Sequence, residues 1–236
     1  MPAALADRFP AGGSHLARYG ARFDAVEIDT SFYRSHRRAT YARWAGTVPE
    51  DFRFAVKLPR TITHGRRLVD CADLLAGFAD EIGGLGDKRG PVLVQLPPSL
   101  GLDPGAAERF FAACTALLGG AIACEPRHPS WFGPEGGALL RRHRVARVAA
   151  DPALSPEAAR PGGWPGLAYA RLHGSPDMYR SAYGAAAVAR HAEAARTAAA
   201  AGAGETWVVY DNTAEGAAPQ DALDLLARLR SPPASR

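Results

Sequence analysis

The chain has 236 residues, of which 47% are hydrophobic and 22% charged, enough apolar content for one sizeable core and too much for a disordered chain. The formal net charge is a mild +4, carried by scattered Arg with Lys only at Lys57 and Lys88, a compositional bias rather than a nucleic-acid footprint. Isolated Cys71, Cys114 and Cys124 argue against a disulfide framework or a zinc site. The absence of a signal-peptide pattern and of any apolar run long enough to cross a bilayer points to a cytoplasmic protein with no membrane partner.

Residues 1–13 read as an irregular start, with two prolines and two glycines. A helix over 14–23 leads into a strand over 25–29. Further strands are expected at 53–58, 92–96, 121–125, 145–151, 167–173 and 206–211. Helical patterns fall at 41–47, 71–82, 106–118, 136–142, 185–201 and 221–230. Strand–helix alternation of this kind predicts a mainly parallel α/β fold in one domain over 14–230, followed by a flexible tail over 231–236. The connection over 152–166 holds four prolines and three glycines and reads as a long loop. The Ala-rich helix at 185–201 reads as a surface helix with a solvated His191. His15, His36 and His143 read as structural.

Side-chain parity separates a barrel from an open sheet. Residues two apart share a face of a strand. Tyr169, Arg171 and His173 therefore share one face, as do Glu27 and Asp29, Ala55 and Lys57, Ala123 and Glu125, Ala149 and Asp151, and Val209 and Asp211. One face of each run is small and turns polar at the C-terminal end, while the other is apolar. An open sheet covered on both sides makes both faces apolar, so the pattern predicts a TIM-type (β/α) barrel with its site at the strand C-termini. Seven strands are visible. This logic gathers Glu27, Lys57, Gln95, Glu125, Arg127, Asp151, Arg171, His173 and Asp211 at one rim, where so many ionisable groups must pair.

The motifs resemble those of the domain of unknown function 72, or YecE-like, family. They are Val26-Glu-Ile-Asp-Thr-Ser-Phe-Tyr-Arg34, Phe52-Arg-Phe-Ala-Val-Lys-Leu-Pro-Arg-Thr-Ile-Thr-His64, Gly90-Pro-Val-Leu-Val-Gln-Leu-Pro-Pro98, Glu125-Pro-Arg-His-Pro-Ser-Trp-Phe132, Arg171-Leu-His-Gly174 with Tyr179 and Tyr183, and Val209-Tyr-Asp-Asn212. The resemblance implies a TIM-barrel-like fold and supplies no reaction. It adds Arg34, His64, His128, Tyr179, Tyr183 and Asn212 to the candidate substrate-binding residues. Family members open with a strand ending in a Gly-x-x-Gly-Trp-like motif that is missing here. The expectation is therefore that the gene product extends upstream of Met1, or that the barrel is incomplete.

The favoured function is an enzyme acting on a small polar or anionic substrate, phosphorylated ones included. Lys57, Arg127 and Arg171 would bind an anion, Glu27, Glu125 or Asp211 would act as base, and His173 would shuttle protons. Tyr179 and Tyr183 would form a wall or lid. No metal ligand set is assigned and no cofactor is indicated. The first alternative is a divalent-metal hydrolase acting on nucleic acid, using Glu27, Glu125, His128, Asp151, His173 and Asp211. Against it, Lys57, Arg127 and Arg171 would repel a cation in the same region. The second alternative is a non-catalytic module that binds a metabolite or partner.

Overall fold

The computed structural model describes residues 3–231. Nine strands run in chain order: β1 (Ala25–Ile28), β2 (Arg53–Lys57), β3 (Arg89–Gln95), β4 (Ile122–Glu125), β5 (Val145–Arg147), β6 (Ala149–Asp151), β7 (Gly162–Gly163), β8 (Leu167–Leu172) and β9 (Glu205–Tyr210). Seven α-helices accompany them: α1 (His15–Gly20), α2 (Arg38–Ala45), α3 (Ala72–Ile82), α4 (Pro104–Leu118), α5 (Pro134–Arg142), α6 (Gly184–Ala200) and α7 (Ala218–Arg230). Local chemistry sets the helix ends. Ser14 Oγ caps α1 by accepting from Ala17 N at 3.1 Å, and Asp103 caps α4 by accepting from Ala106 N at 3.0 Å, with Pro104 supplying a preset first turn.

The strands form two sheets, β1-β2-β3-β4-β5-β7 and β6-β8-β9, parallel throughout except for the short β5–β7 pair. The expected strand over 145–151 is real but changes partner midway. Its first half pairs with β4 and its second half with β8, and Val148 N donates to Cys124 O at 2.8 Å at the join. A closed TIM-type barrel is therefore not what the ladders draw, and among the described residues β9 and β1 share no pairing. The outer layer joins first and last helices instead. Leu5, Phe9 and Phe23 bury against one another, with Tyr19, Leu223 and Leu226 packed on them. Residues 1–13 are consequently not wholly irregular, because burying Leu5 and Phe9 holds Ala3–Arg8 as a 3-10 helix. Apart from Ser231, the expected tail lies outside the described residues.

Two apolar clusters lie on either side of the parallel strands. The outer one holds Phe54, Val56, Val92, Val94, Ile122 and Cys124 against Leu75, Phe78, Phe110 and Phe111 of the helices. The inner one is small at the level of Ala55, Ala123 and Ala146, and larger where Leu93, Tyr169 and Trp207 meet. Trp207 and Tyr169 stack with centroids 6.0 Å apart and planes 4° from parallel. The indole reaches across the interior to β3, where a Cβ on Gly90 would stand 2.7 Å from Trp207 Cζ2. Gly90→Ala is expected to cost about 1–3 kcal/mol through overpacking. A denaturant double-mutant cycle with Trp207→Leu checks this: the Ala should become nearly neutral once the ring is gone.

All three cysteines are buried and unpaired. The 152–166 connection contains no helix, so no helix lies between β6 and β8 in the chain.

Candidate functional site

Register fixes which strand ends face inward. Glu27 pairs with Ala55, Lys57 with Leu93, and Gln95 with Glu125, and Ala55 and Leu93 both belong to the inner cluster. On the second sheet Arg171 pairs with Val209, two residues before Asp211. The C-terminal ends of β1, β2, β3, β4, β8 and β9 thus deliver their polar residues to one place, in keeping with strand parity.

Arg171 is the centre of that place. Its side chain is 0% exposed and bonds carboxylates from three strands. Nε donates to Glu27 Oε1 at 3.1 Å and Nη2 to the same oxygen at 2.7 Å. Nη1 donates to Glu125 Oε2 at 2.8 Å, and Nη2 also reaches Asp211 Oδ2 at 3.0 Å. Each carboxylate is held further. Glu27 accepts from Tyr169 Oη at 2.7 Å. Glu125 accepts from Gln95 Nε2 at 3.1 Å and from Arg127 Nε and Nη2 at 3.1 and 3.0 Å. Beside them Lys57 Nζ donates to Asp29 Oδ1 at 2.6 Å and lies 4.2 Å from the centre of the Phe32 ring. Full pairing is what lets such a group remain buried as ions.

His173 completes the group. Nδ1 lies 3.0 Å from Asp211 Oδ2, while Nε2 is 3.4 Å from Glu125 Oε1 without the alignment of a hydrogen bond. Burial opposes charging the ring, but the bond to Asp211 and the nearby Glu125 carboxylate prevail and raise its pKa above 6.5. Burial also acts against the charge on Glu125, yet Arg171 above all holds that carboxyl well below its usual range. Asp211 is lowered too, by His173 and Arg171 working against burial. Four carboxylates (Glu27, Asp29, Glu125, Asp211) face three fixed cations (Lys57, Arg127, Arg171), so protonated His173 brings the group to neutrality.

That balance sets a pH dependence. A folded-state pKa above the unfolded one makes protonation stabilising. The contribution is complete below about pH 6.5 and disappears as pH rises through the raised folded value. Urea midpoints of the wild type should fall between pH 6 and pH 8.5, and His173→Gln should remove most of that fall.

The group presents a limited rim to solvent: side chains of Asp29 at 40% exposure, Arg127 at 28% and Asp211 at 23%. Tyr179 stands over it, its ring 5.5 Å from and nearly perpendicular to His173, its backbone amide bonded to His173 O. Tyr179 has φ +68° and follows Gly174 at φ +95°, so a tight left-handed turn aims the ring back over the imidazole. The half-buried His64 sits edge-on to Phe32 at 5.0 Å. Burial first, then nearby Arg60, Lys57 and Arg127, lower its pKa.

Five expected site residues are elsewhere. Asp151 lies on the outer face, in register with Leu172, because the inner positions of its strand are Ala146, Val148 and Ala150. There the polar last residue belongs to the wrong parity. Tyr183 also lies outside: its hydroxyl accepts from Gly174 N at 2.9 Å and its ring packs on His191 at 4.8 Å. His191 is accordingly half-buried rather than solvated, because Tyr210 Oη bonds its Nδ1 at 3.0 Å. Buried Asn212 donates to Ser181 O and Asp221 Oδ2, fastening a loop to α7. His128 Nδ1 bonds Ser130 Oγ at 2.8 Å within its own turn, and Arg34 is exposed. Asp29 and Tyr169 join the group beyond the sequence expectation, and strand parity is the signal that points to both, with Glu27 and Arg171 respectively.

The six donors of the metal alternative are therefore not gathered: His128 and Asp151 lie apart, and Arg171 stands among the remaining carboxylates where a cation would sit. Among the described residues no three His, Cys, Asp or Glu side chains are arranged to hold a metal ion, and no helix is long and apolar enough to cross a membrane.

Residues 6–235 match the family model described as protein of unknown function DUF72. Over 156 residues the chain is 32% identical to the UPF0759 protein YecE of Escherichia coli K12 and 31% to that of strain O157:H7. The match covers 64% of this chain and 56% of each relative, so the chain spans little more than half the length of these curated relatives. Among solved structures, a DUF72 family protein from Enterococcus faecalis V583 aligns with a TM-score of 0.80 at 22% identity, covering 97% of this chain and 93% of that one. One from Thermotoga maritima MSB8 aligns with a TM-score of 0.74 at 23% identity, covering 89% and 85%. At these identities the likeness concerns the fold.

Proposed function

The chain belongs to the DUF72 family, and from that premise we propose that it is an enzyme acting on a small anionic substrate, phosphorylated ones included, at the rim around Arg127. In this reading the two sheets form a (β/α) barrel of seven strands with its working end at the strand C-termini. The observation that carries it is His173: a buried imidazole with a raised pKa, oriented by Asp211 through Nδ1, whose Nε2 has no hydrogen-bond partner. An imidazole held by Asp211, whose Nε2 makes only a loose 3.4 Å approach to Glu125 Oε1, can still give up or take a proton there.

Roles follow from exposure. Arg171 is spent on Glu27, Glu125 and Asp211, so it orients rather than binds. Arg127 keeps one face toward solvent while Glu125 aims it, and is the anion anchor. Lys57 supplies a second positive charge close to Phe32 and His64. Tyr179 covers His173 and must move with its loop to admit substrate.

A size-matched panel of small phosphates, carboxylates, neutral polyols and amines, read by thermal shift, tests this reading. Stabilisation by anions alone, lost in Arg127→Ala, is expected. Turnover of any hit should fall by at least a hundredfold in His173→Gln with binding retained. Stabilisation independent of charge, or indifferent to Arg127, overturns it.

A further inference from the structure

A sizeable cavity lies away from the carboxylate group. It lies in the helix layer, a space of about 480 Å³ between the outer face of β6, β8 and β9 and the helix α6. Its origin can be read from the sequence. The 152–166 connection brings no helix to cover β6 and β8, and the side chains that face the gap are too small to fill it. Ala149, Ala168 and Ala170 line it from the sheet, and Ala187, Ala194 and Ala198 from α6. The volume is that of a small-molecule site, and its walls are mostly apolar.

One end of the cavity is polar. Asp151 contributes its carboxylate there, beside Tyr183 and His191. Asp151 forms no ion pair among the described residues. Tyr183, His191 and Tyr210 pack edge to face around that end, with ring centroids 4.8 to 5.7 Å apart. Burial lowers the pKa of His191, which leaves the ring neutral near pH 7. A second carboxylate, buried Asp221, is close enough to act on His191, although it is bonded to Asn212 and Tyr183 N. Among the described residues that line the cavity the one Lys or Arg is Arg190, which is exposed and donates to Ala186 O at 3.3 Å. The end is therefore net acidic, with an unpaired carboxylate next to aromatic faces. Those are the two features that attract an ammonium group, by ion pairing and by the ring quadrupole.

We propose that this cavity is a second binding site, distinct from the barrel rim, for a slender alkylammonium ligand. The amine pairs with Asp151 against Tyr183 and His191, and the alkyl chain lies along the alanines between the sheet and α6. The site stands independently of the function proposed for Arg127 and His173.

Calorimetric titration with n-alkylammonium ions from propyl to hexyl, beside hexanoate and hexanol, tests it. Affinity should rise about fourfold per added methylene, the transfer free energy of a buried CH₂. Hexanoate and hexanol should each bind at least tenfold more weakly than hexylammonium. Asp151→Asn, nearly isosteric, should remove that preference. Ala170→Leu, which fills the cavity, should abolish binding, and Arg127→Ala should leave it unchanged. Hexanoate or hexanol binding as tightly as hexylammonium overturns the proposal, with no variant needed. So does a preference that survives Asp151→Asn, or one lost in Arg127→Ala.

Discussion

Replacing Arg171 by Met should cost about 3–5 kcal/mol, the penalty for leaving buried charge without its partner. That is a large share of a typical stability of about 5–15 kcal/mol. The side chain is wholly buried and its guanidinium is the common partner of Glu27, Glu125 and Asp211. Methionine fills the volume but supplies no donor. Glu27 would keep only Tyr169 Oη, and Asp211 only His173. The pH dependence should also reverse. In the wild type, Glu125 and Asp211 have lowered pKa values, so their stabilisation is present above the unfolded values of 4.5 and 3.8 and is lost as pH falls through the lower folded values. In Arg171→Met, burial weighs against only the cations that remain, Arg127 and His173 at Glu125 and His173 at Asp211, so these pKa values rise and protonation becomes stabilising. Urea unfolding at pH 7 and pH 5.5 should show the variant gaining stability on acidification. A loss under 1 kcal/mol would remove Arg171 from the centre of the site. Arg171→Lys should fall between, because it keeps the charge and loses the fork that spans three carboxylates.

Glu125→Gln should lower anion affinity at the rim more than tenfold and destabilise the fold by about 1–3 kcal/mol. Glu125 accepts on both oxygens: Oε1 from Arg127, Oε2 from Arg171 and Gln95. An amide accepts on one side only, so its NH₂ must face either guanidinium or the donor end of Gln95. With Arg171 buried and fixed, the more exposed Arg127 should release. The same change removes a charge that holds the His173 pKa up, so that pKa should fall. Phosphate titration and the NMR titration of the His173 ring separate the effects. A lower melting temperature with unchanged phosphate affinity and unchanged His173 pKa would make Glu125 structural only.

Much of this was legible because parallel strands end in polar residues whose parity is plain. Small residues at Ala55, Ala123 and Val209 mark the inner face, and Lys57, Glu125 and Asp211 follow two positions on. The rule failed where polarity was taken for orientation. In the strand over 145–151, Asp151 is last and polar, but Ala146 and Val148 already occupy the interior. Tyr169 shares a face with Arg171 and His173, but that its hydroxyl holds Glu27 from 142 positions away is a contact no local pattern reveals. The alanine-rich helix was recognised, but not the space beneath it. That space is the joint product of α6, the bare outer face of β8 and a connection without a helix, and each is unremarkable alone.

The change of partner within the strand over 145–151 divides the molecule along a seam. On one side lie β1 to β5, on the other β6, β8 and β9 with α6 and α7. Backbone ladders run within each side. Across the seam the continuity is the chain itself, which passes at Val148 and again on either side of β7, the apolar contact of Leu5, Phe9 and Phe23 with α7, and the interior contacts among which the grip of Arg171 on Glu27 and Glu125 is the most polar. Two cooperative units that meet this way lose their junction before either loses its own ladder. The charged group at the rim is part of that junction, so an opening along the seam takes the group apart while both halves still hold their secondary structure. Protection of the proposed active centre and cooperativity between the two halves are then linked, and a substrate of the proposed kind, bridging Arg127 and His173, would tie the halves together as it binds.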